Sequence, residues 1–207
     1  MHPNKAFRQA ERDTNLDFAV ARGFGLLTLA GPAGPLASHV PFLLDRDSGR
    51  IGMHLVRSNP ILKQLAEPAP ALLAVSGPDC YISPDWYGIE DQVPTWNYVS
   101  VHLTGRLEPL PQEALRGMLE RLSDEFETRL APKPVWKLDK VPEEIVARLM
   151  RIIQPFVLHI EDVDGTWKLA QHKPEAARLA AADGLDQAGI GAETALLAAL
   201  MRAAEPV

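Results

Sequence analysis

Between His54 and Pro60 the sequence reads HLVRSNP: an apolar run ends, and an arginine, a serine and an asparagine stand directly before a proline. Proline suits the first turn of a helix, because its missing N–H is not needed there, and Ser58 or Asn59 can cap that helix. Free N–H groups at a helix start, beside a guanidinium and a hydroxyl, suit a phosphate. The plainer reading is an ordinary cap with Arg57 turned to solvent, and the residue types alone leave both open. A second cluster lies between Tyr81 and Tyr98, where two tryptophans, three tyrosines and Asn97 fall within eighteen positions of a chain that is only 6% aromatic. Such density can wall a planar ligand, with Thr95 and Asn97 bonding to its edge. It can equally pin a long loop by its own packing. A third stretch, GTWKLAQHK at Gly165–Lys173, sets Trp, Lys and Gln at a strand end before a helix, and alone it means little.

The common catalytic signatures are missing. The chain has no phosphate-binding P-loop, no dinucleotide fingerprint, no nucleophile elbow and no zinc-protease motif. Its six histidines, at 2, 39, 54, 102, 159 and 172, lack metal-ligand spacing. Acidic pairs such as Asp124/Glu125 and Glu143/Glu144 fall on helical patterns, where a solvated face is the simplest account.

The elements that must position these residues can be read from hydrophobic period and punctuation. A short helix over Ala10–Arg22 stops at Gly23. Phe24–Ala30, Leu36–Leu44 and Ile51–Val56 are short apolar runs separated by turn-rich GPAGP and RDSG, which predicts an antiparallel meander. The spacing then predicts a helix from Pro60, ended by Pro68, and a strand over Ala71–Gly77. A long Pro- and aromatic-rich connection leads to a strand over Tyr98–Leu107. Leu115, Met118, Leu119, Leu122 and Phe126 follow helical spacing within Gln112–Leu130, and a second amphipathic helix is expected at Glu143–Ile153. PFVLHIEDVDGTWKLA carries a last strand. From Lys173 the chain is Ala/Leu-rich helix, expected to break at Gly184 and at Gly189–Gly191. This order predicts an α+β fold around an antiparallel sheet, and closure into a barrel would remove its exposed edges.

Composition bounds the rest. At 207 residues and 46% hydrophobic, the chain can bury a sizeable core. A net charge of −6 and the lack of any Lys/Arg run give no support to direct DNA contact. The single cysteine, Cys80, excludes an intrachain disulfide and reads as a packing residue. With no apolar leader at the N-terminus and no membrane-length apolar stretch, a cytoplasmic protein is expected.

Taken in order, MHPNKAF, HLVRSNP, YISPDWY, VPTWNY and WKLAQHK resemble the signature stretches of the PaiB family, FMN-binding negative transcriptional regulators. The resemblance runs from the first residues to about Lys173. His2 stands where the family usually has Tyr, His172 where Asn is common, and the Ala-rich Ala177–Val207 departs from the pattern. The resemblance implies an antiparallel split β-barrel with peripheral helices, the FMN-binding fold shared with pyridoxamine-phosphate oxidase-like proteins. It would occupy residues 1–173, with 174–207 a helical extension packed on the same domain. It further implies a homodimer with FMN at the subunit interface. Ser38, His39, Val40 and Pro41 would lie beside the flavin ring and ribityl chain, and His54, Arg57, Ser58 and Asn59 would hold the phosphate. Thr95, Trp96 and Asn97, with Trp167, Lys168 and Gln171 from the partner subunit, would complete the pocket. No residue is assigned a catalytic or metal-binding part.

Two functions fit this expectation. The first is a redox or metabolic transcriptional regulator that binds FMN as a dimer. The alternative is a flavin-dependent oxidoreductase of the flavin reductase or pyridoxamine-phosphate oxidase type, because a bound flavin transfers hydride itself and needs few protein groups. A dimeric scaffold whose pocket has decayed is a third reading.

Overall fold

Local signals set the ends of most elements in the computed structural model, which describes residues 1–65, 67–188 and 190–206. Helix α1 (Arg12–Arg22) stops at Gly23, whose φ of 59° lies in the left-handed region that favours glycine. Two strands follow, β1 (Phe24–Gly31) and β2 (Gly34–Pro41), paired antiparallel from Phe24↔Pro41 to Gly31↔Gly34, so only Pro32 and Ala33 form the loop. A second hairpin joins β3 (Leu43–Asp45) to β4 (Arg50–Val56). The long strands β5 (Ala69–Ile82), β6 (Thr95–Pro109) and β7 (Ile153–Lys168) come next in the sheet-forming series, and β8 (Ile190–Ala192) pairs with β5 at Asp79–Tyr81. The helices are α2 (Ala114–Thr128), α3 (Glu143–Met150), α4 (Glu175–Ala188) and α5 (Thr194–Ala203).

The strand order is β2-β1-β5-β6-β7-β4-β3. The expected meander is therefore corrected: the first two hairpins form locally, but β1 turns its other edge to β5 and β4 turns its to β7. Three further expectations change. The segment after Pro60 is a five-residue 3₁₀ helix, Pro60–Gln64. The helix beginning at Glu143 ends at Met150, because Ile153 already pairs with Val56. Helix α4 continues through Gly184, where a Cβ would lie 2.6 Å from Cγ of Trp86; the glycine admits an indole and does not end the helix. The break expected at Gly189 lies outside the described residues.

The chain divides into two compact units, one of Leu16–Ala74 and Leu103–Val163, the other of Met1–Asn15, Val75–His102 and Asp164–Val207. In the first, alternation along β4 buries Ile51, Met53 and Leu55, and α2 lays Leu115, Met118 and Leu122 inward. Each such side chain stabilises by about 1.5–3 kcal/mol. Arg129 closes α1: its guanidinium donates to the carbonyls of Val20 and Ala21, both at 2.8 Å, where a cation meets the negative end of the helix dipole. The same guanidinium pairs with Glu125 and lies 5.0 Å from the Phe126 ring centre.

The second unit is built on smaller side chains. Ala177, Ala181, Ala182 and Leu185 of α4 and Leu197, Ala198 and Met201 of α5 are buried. Arg178 is 2% exposed, and its guanidinium donates to the carbonyls of Met201 and Arg202 at the end of α5. Asn15, also buried, donates to the carbonyl of Ala10 and accepts the indole N–H of Trp167 at 2.8 Å. Among the described residues, no helix is long and apolar enough to cross a membrane.

Candidate functional site

Eight of the residues singled out in the sequence fall in the first unit. Ser38–Pro41 end β2, where Val40 points into the core, Ser38 and Pro41 are half-buried, and His39 is exposed. The ring of His39 stacks on Phe24, at 6.0 Å between centres and 16° between planes. Phe24 itself is 52% exposed, so this pair offers an open planar surface. Ser38 is tied to the segment after β4, because Asn59 Nδ2 donates to Ser38 Oγ at 3.1 Å. The other amide atom of Asn59, Oδ1, accepts from the Ile61 N–H at 3.0 Å and caps the 3₁₀ helix. That bond uses the first free N–H of a very short helix. An anion here would rest on the side chains of Arg57 and Ser58 more than on helix N–H groups.

Arg57 is aimed by its neighbours. Nε donates to the Arg151 carbonyl at 2.9 Å and Nη2 donates to Oε1 of Gln112, which is itself held through Nε2 by the carbonyl of Met150 at 2.8 Å. Two of the five guanidinium N–H donors are thereby spent, and the exposed remainder keep their capacity for an acceptor. Nothing in the sequence marked Gln112; it is an unremarkable polar residue at a helix start whose partner is fifty-five positions away.

His54, on β4, has a buried Nδ1 without a hydrogen-bond partner. Burial lowers its pKa below the ordinary 6.5. The folded chain thus holds this imidazole neutral, while the unfolded chain protonates it near pH 6.5. Its contribution to stability is complete above that value and is lost as pH falls from there towards the depressed folded pKa. His102 and His172 shift in the same direction, also chiefly through burial. Thermal melts at pH 7.5 and 5.5 should show a lower midpoint in acid, and His54→Leu should narrow that difference; an unchanged difference would rule His54 out as a contributor.

The other six residues fall in the second unit. Lys168 Nζ donates to Thr95 Oγ1 and sits 5.9 Å from the Phe7 ring centre, with its pKa lowered by burial. Trp96 is 45% exposed and meets Tyr81 edge-on, 6.4 Å between centres. Its neighbour Asn97 points the other way, as strand alternation requires, and its buried amide donates to Met201 Sδ. Trp167 spends its N–H on Asn15. Gln171 donates to the carbonyls of Ala6 and Trp167 and accepts from the Leu169 N–H, which braces a turn where Ala170 has φ of 61°. Asn97, Trp167 and Gln171 therefore shape the backbone, whereas Trp96 and Lys168 are the members with ring face or donors to offer. Phe7, missed as a site element, is buried under Lys168 between the edges of His2 and His172. The MHPNKAF stretch was the available signal for it.

Residues 1–162 match the family described as "Putative FMN-binding domain". The chain belongs to this FMN-binding family. It is also similar to the Protease synthase and sporulation protein PAI 2 of Bacillus subtilis (strain 168), 27% identical over 177 residues covering 84% of each chain. Among solved structures, it is similar to the FAD and haem binding protein from Mycobacterium smegmatis, at a TM-score of 0.56, 20% identity and coverage of 78% of this chain and 73% of that one. A flavocytochrome from Azotobacter vinelandii matches at 0.55, with 17% identity over 81% of this chain and 72% of that one. The motif resemblance is borne out, and so is the α+β split-barrel fold with peripheral helices.

The residues present also fit the family's cofactor. FMN asks for a cationic and hydroxyl-bearing partner for its phosphate, polar atoms for its ring edge, and an apolar wall. Arg57 with unspent donors and the exposed Ser58 would supply the first. His54, with its unpartnered Nδ1, and Asn59 would stand with them; Ser38, bonded to Asn59, would supply the second, and the open His39–Phe24 stack a wall for the ring. FMN as the cofactor, expected from the motifs, stands.

Proposed function

We propose that this member of the FMN-binding family is a cytoplasmic homodimeric regulator of the PaiB type, in which bound FMN reports the redox or metabolic state of the cell. The observation that carries the reading is the way Arg57 is held. A surface arginine fixed at two points by Arg151 and Gln112 keeps its remaining donors aimed, so little entropy is lost when an anion docks. Ser58 stands next to it, and Asn59 links this segment to Ser38 on the strand assigned to the flavin ring and ribityl chain. In this reading Trp96 and Lys168 belong to the same cofactor pocket once two chains assemble, with Thr95 positioning the lysine of its own chain and not, as the motifs implied, that of the partner. Asn97, Trp167 and Gln171 hold their backbone in place.

FMN supplies reversible two-electron chemistry when bound. The chain's own residues would bind and orient it: the Arg57 guanidinium would neutralise part of the phosphate charge, the Ser58 hydroxyl would hydrogen-bond to it, and His54 has a ring nitrogen with no other partner. The similarity to PAI 2, a named sporulation protein, supports a regulatory setting. With a net charge of −6, contact with DNA would depend on a local patch or on a partner protein.

Titration of the purified protein with FMN, followed by flavin fluorescence, tests the core of this reading. Saturable quenching at one FMN per chain is expected. Arg57→Ala should raise the Kd by roughly 10- to 150-fold, the equivalent of one charge-assisted hydrogen bond of about 1.5–3 kcal/mol. An unchanged Kd would remove Arg57 from the phosphate site. Light scattering with and without FMN checks the dimer, and steady NAD(P)H oxidation by the loaded protein would overturn the regulatory reading in favour of an oxidoreductase.

A further inference from the structure

The register of β3, β4 and β7 sets three pairs of residues on one sheet face: Leu43 and Asp45, then Gly52 and Arg50, then Val157 and His159. Gly52 is the centre of that face, flanked by Leu43 and Val157, and it contributes no side chain. Helix α2 lies over it with Met118 and Arg121, one turn apart, and a Cβ built on Gly52 would come within 3.4 Å of Met118 Cε. Beside this contact a hollow of about 760 Å³ lies between sheet and helix, within the usual range for small-molecule sites. None of its lining residues is among those assigned to FMN.

The lining is two-sided. Leu43, Leu110, Met118 and Val157 present apolar surface, while Arg50 and Arg121 stand at the rim. The acidic groups nearby are already engaged. Glu108 meets His159 at 2.8 Å, and the Asp45 carboxylate takes hydrogen bonds from the Ser48 hydroxyl and from backbone N–H groups, with Arg50, its cross-strand neighbour, attracting it from beyond ion-pair distance. Among the described residues, neither Arg50 nor Arg121 has a carboxylate within ion-pair distance. A guanidinium has only donors, so the partner these two arginines can still take is an acceptor, and an anion best of all.

From this we infer that the hollow over Gly52 is a second ligand site, for an amphiphilic organic anion whose apolar body packs on Leu110 and Met118 and whose acid group meets Arg50 and Arg121. This goes beyond the flavin reading and does not depend on it. The fluorescent anion 8-anilinonaphthalene-1-sulfonate serves as the probe on the full chain, with decanoate as competitor. Saturable enhancement at one probe per chain is expected, displaced by decanoate. The Arg50→Gln/Arg121→Gln pair should weaken it by at least tenfold, and Gly52→Leu, whose side chain would push Met118 into the hollow, should abolish it. FMN titrations of these variants should match wild type. No saturable enhancement, or enhancement indifferent to all three substitutions, overturns the proposal. Displacement of the probe by equimolar FMN, with loss of FMN binding in the arginine variants, overturns it too, because it would make this hollow the flavin's own pocket.

Discussion

Gly105→Ala should cost the protein at least about 3 kcal/mol, the upper range for overpacking a core, and lower its thermal midpoint by roughly 6–12 °C for a chain of this size. A Cβ at position 105 would lie 1.8 Å from the carbonyl oxygen of His159 and 2.8 Å from its carbon. Both are backbone atoms of β7, so no rotamer change can relieve the overlap. The strands β6 and β7 must part, and the flanking Leu103 and Leu107, both fully buried, lose their packing with them. Gly105→Val should leave little folded protein, since total stabilities are commonly only about 5–15 kcal/mol. Gly117→Ala is the matched control. It sits in α2 with nothing closer than 3.8 Å to an added Cβ, and should gain about 0.5–1 kcal/mol from reduced backbone freedom in the unfolded chain. Circular-dichroism melts of the three variants decide the matter; equal midpoints for Gly105→Ala and wild type would show that β6 and β7 do not approach as closely as described.

The second large effect is expected at Arg178. Its guanidinium is buried and spends itself on the last carbonyls of α5, which would otherwise lack partners. Arg178→Ala removes these charge-assisted bonds and leaves buried acceptors unsatisfied, a loss of about 2–3 kcal/mol. The loss should be local. Amide exchange in α5 should accelerate by one to two decades, while amides in β4 and β7 keep their protection. Because α5 carries Met201, which receives the Asn97 amide, loosening the helix also frees the strand that bears Trp96. A modest rise in FMN Kd is then expected alongside faster exchange. Uniform acceleration across the whole chain would instead show that α5 unfolds only with everything else.

How much of this could be read in advance depended on distance along the chain. The β1–β2 hairpin and the turn before β4 were legible because each turn is a few residues long and rich in glycine, proline or aspartate, but the single strand expected over Leu36–Leu44 is two, β2 and β3, parted at Phe42. The pairing of β1 with β5 and of β4 with β7 was not legible, since it rests on register between segments far apart in sequence. Helix α2 was legible from its spacing alone. The 3₁₀ helix at Pro60 was read as an ordinary helix because proline and a capping asparagine announce a start and say nothing of length. For the site, the fold does bring two of the motifs together: Ser38 and Asn59, twenty-one positions apart, are hydrogen-bonded. What they could not reveal is which polar atoms the fold itself consumes. Gln171 looks as suited to a ligand as Arg57 does, yet both its amide hydrogens are taken by backbone carbonyls.

The three-residue strand β8 has a practical consequence for the handling of this protein. It covers the backbone of Asp79, Cys80 and Tyr81, and burial raises the pKa of the Cys80 thiol, whose sulfur lies 3.0 Å from the Tyr81 carbonyl. A chain that lost β8 together with α5 would lose that cover. An open strand edge invites pairing with another molecule, and a thiol brought to the surface invites cross-linking in air. Preparations that turn cloudy on storage, and clear when protease inhibitor and reductant are supplied from the start, would trace their ageing to these three residues.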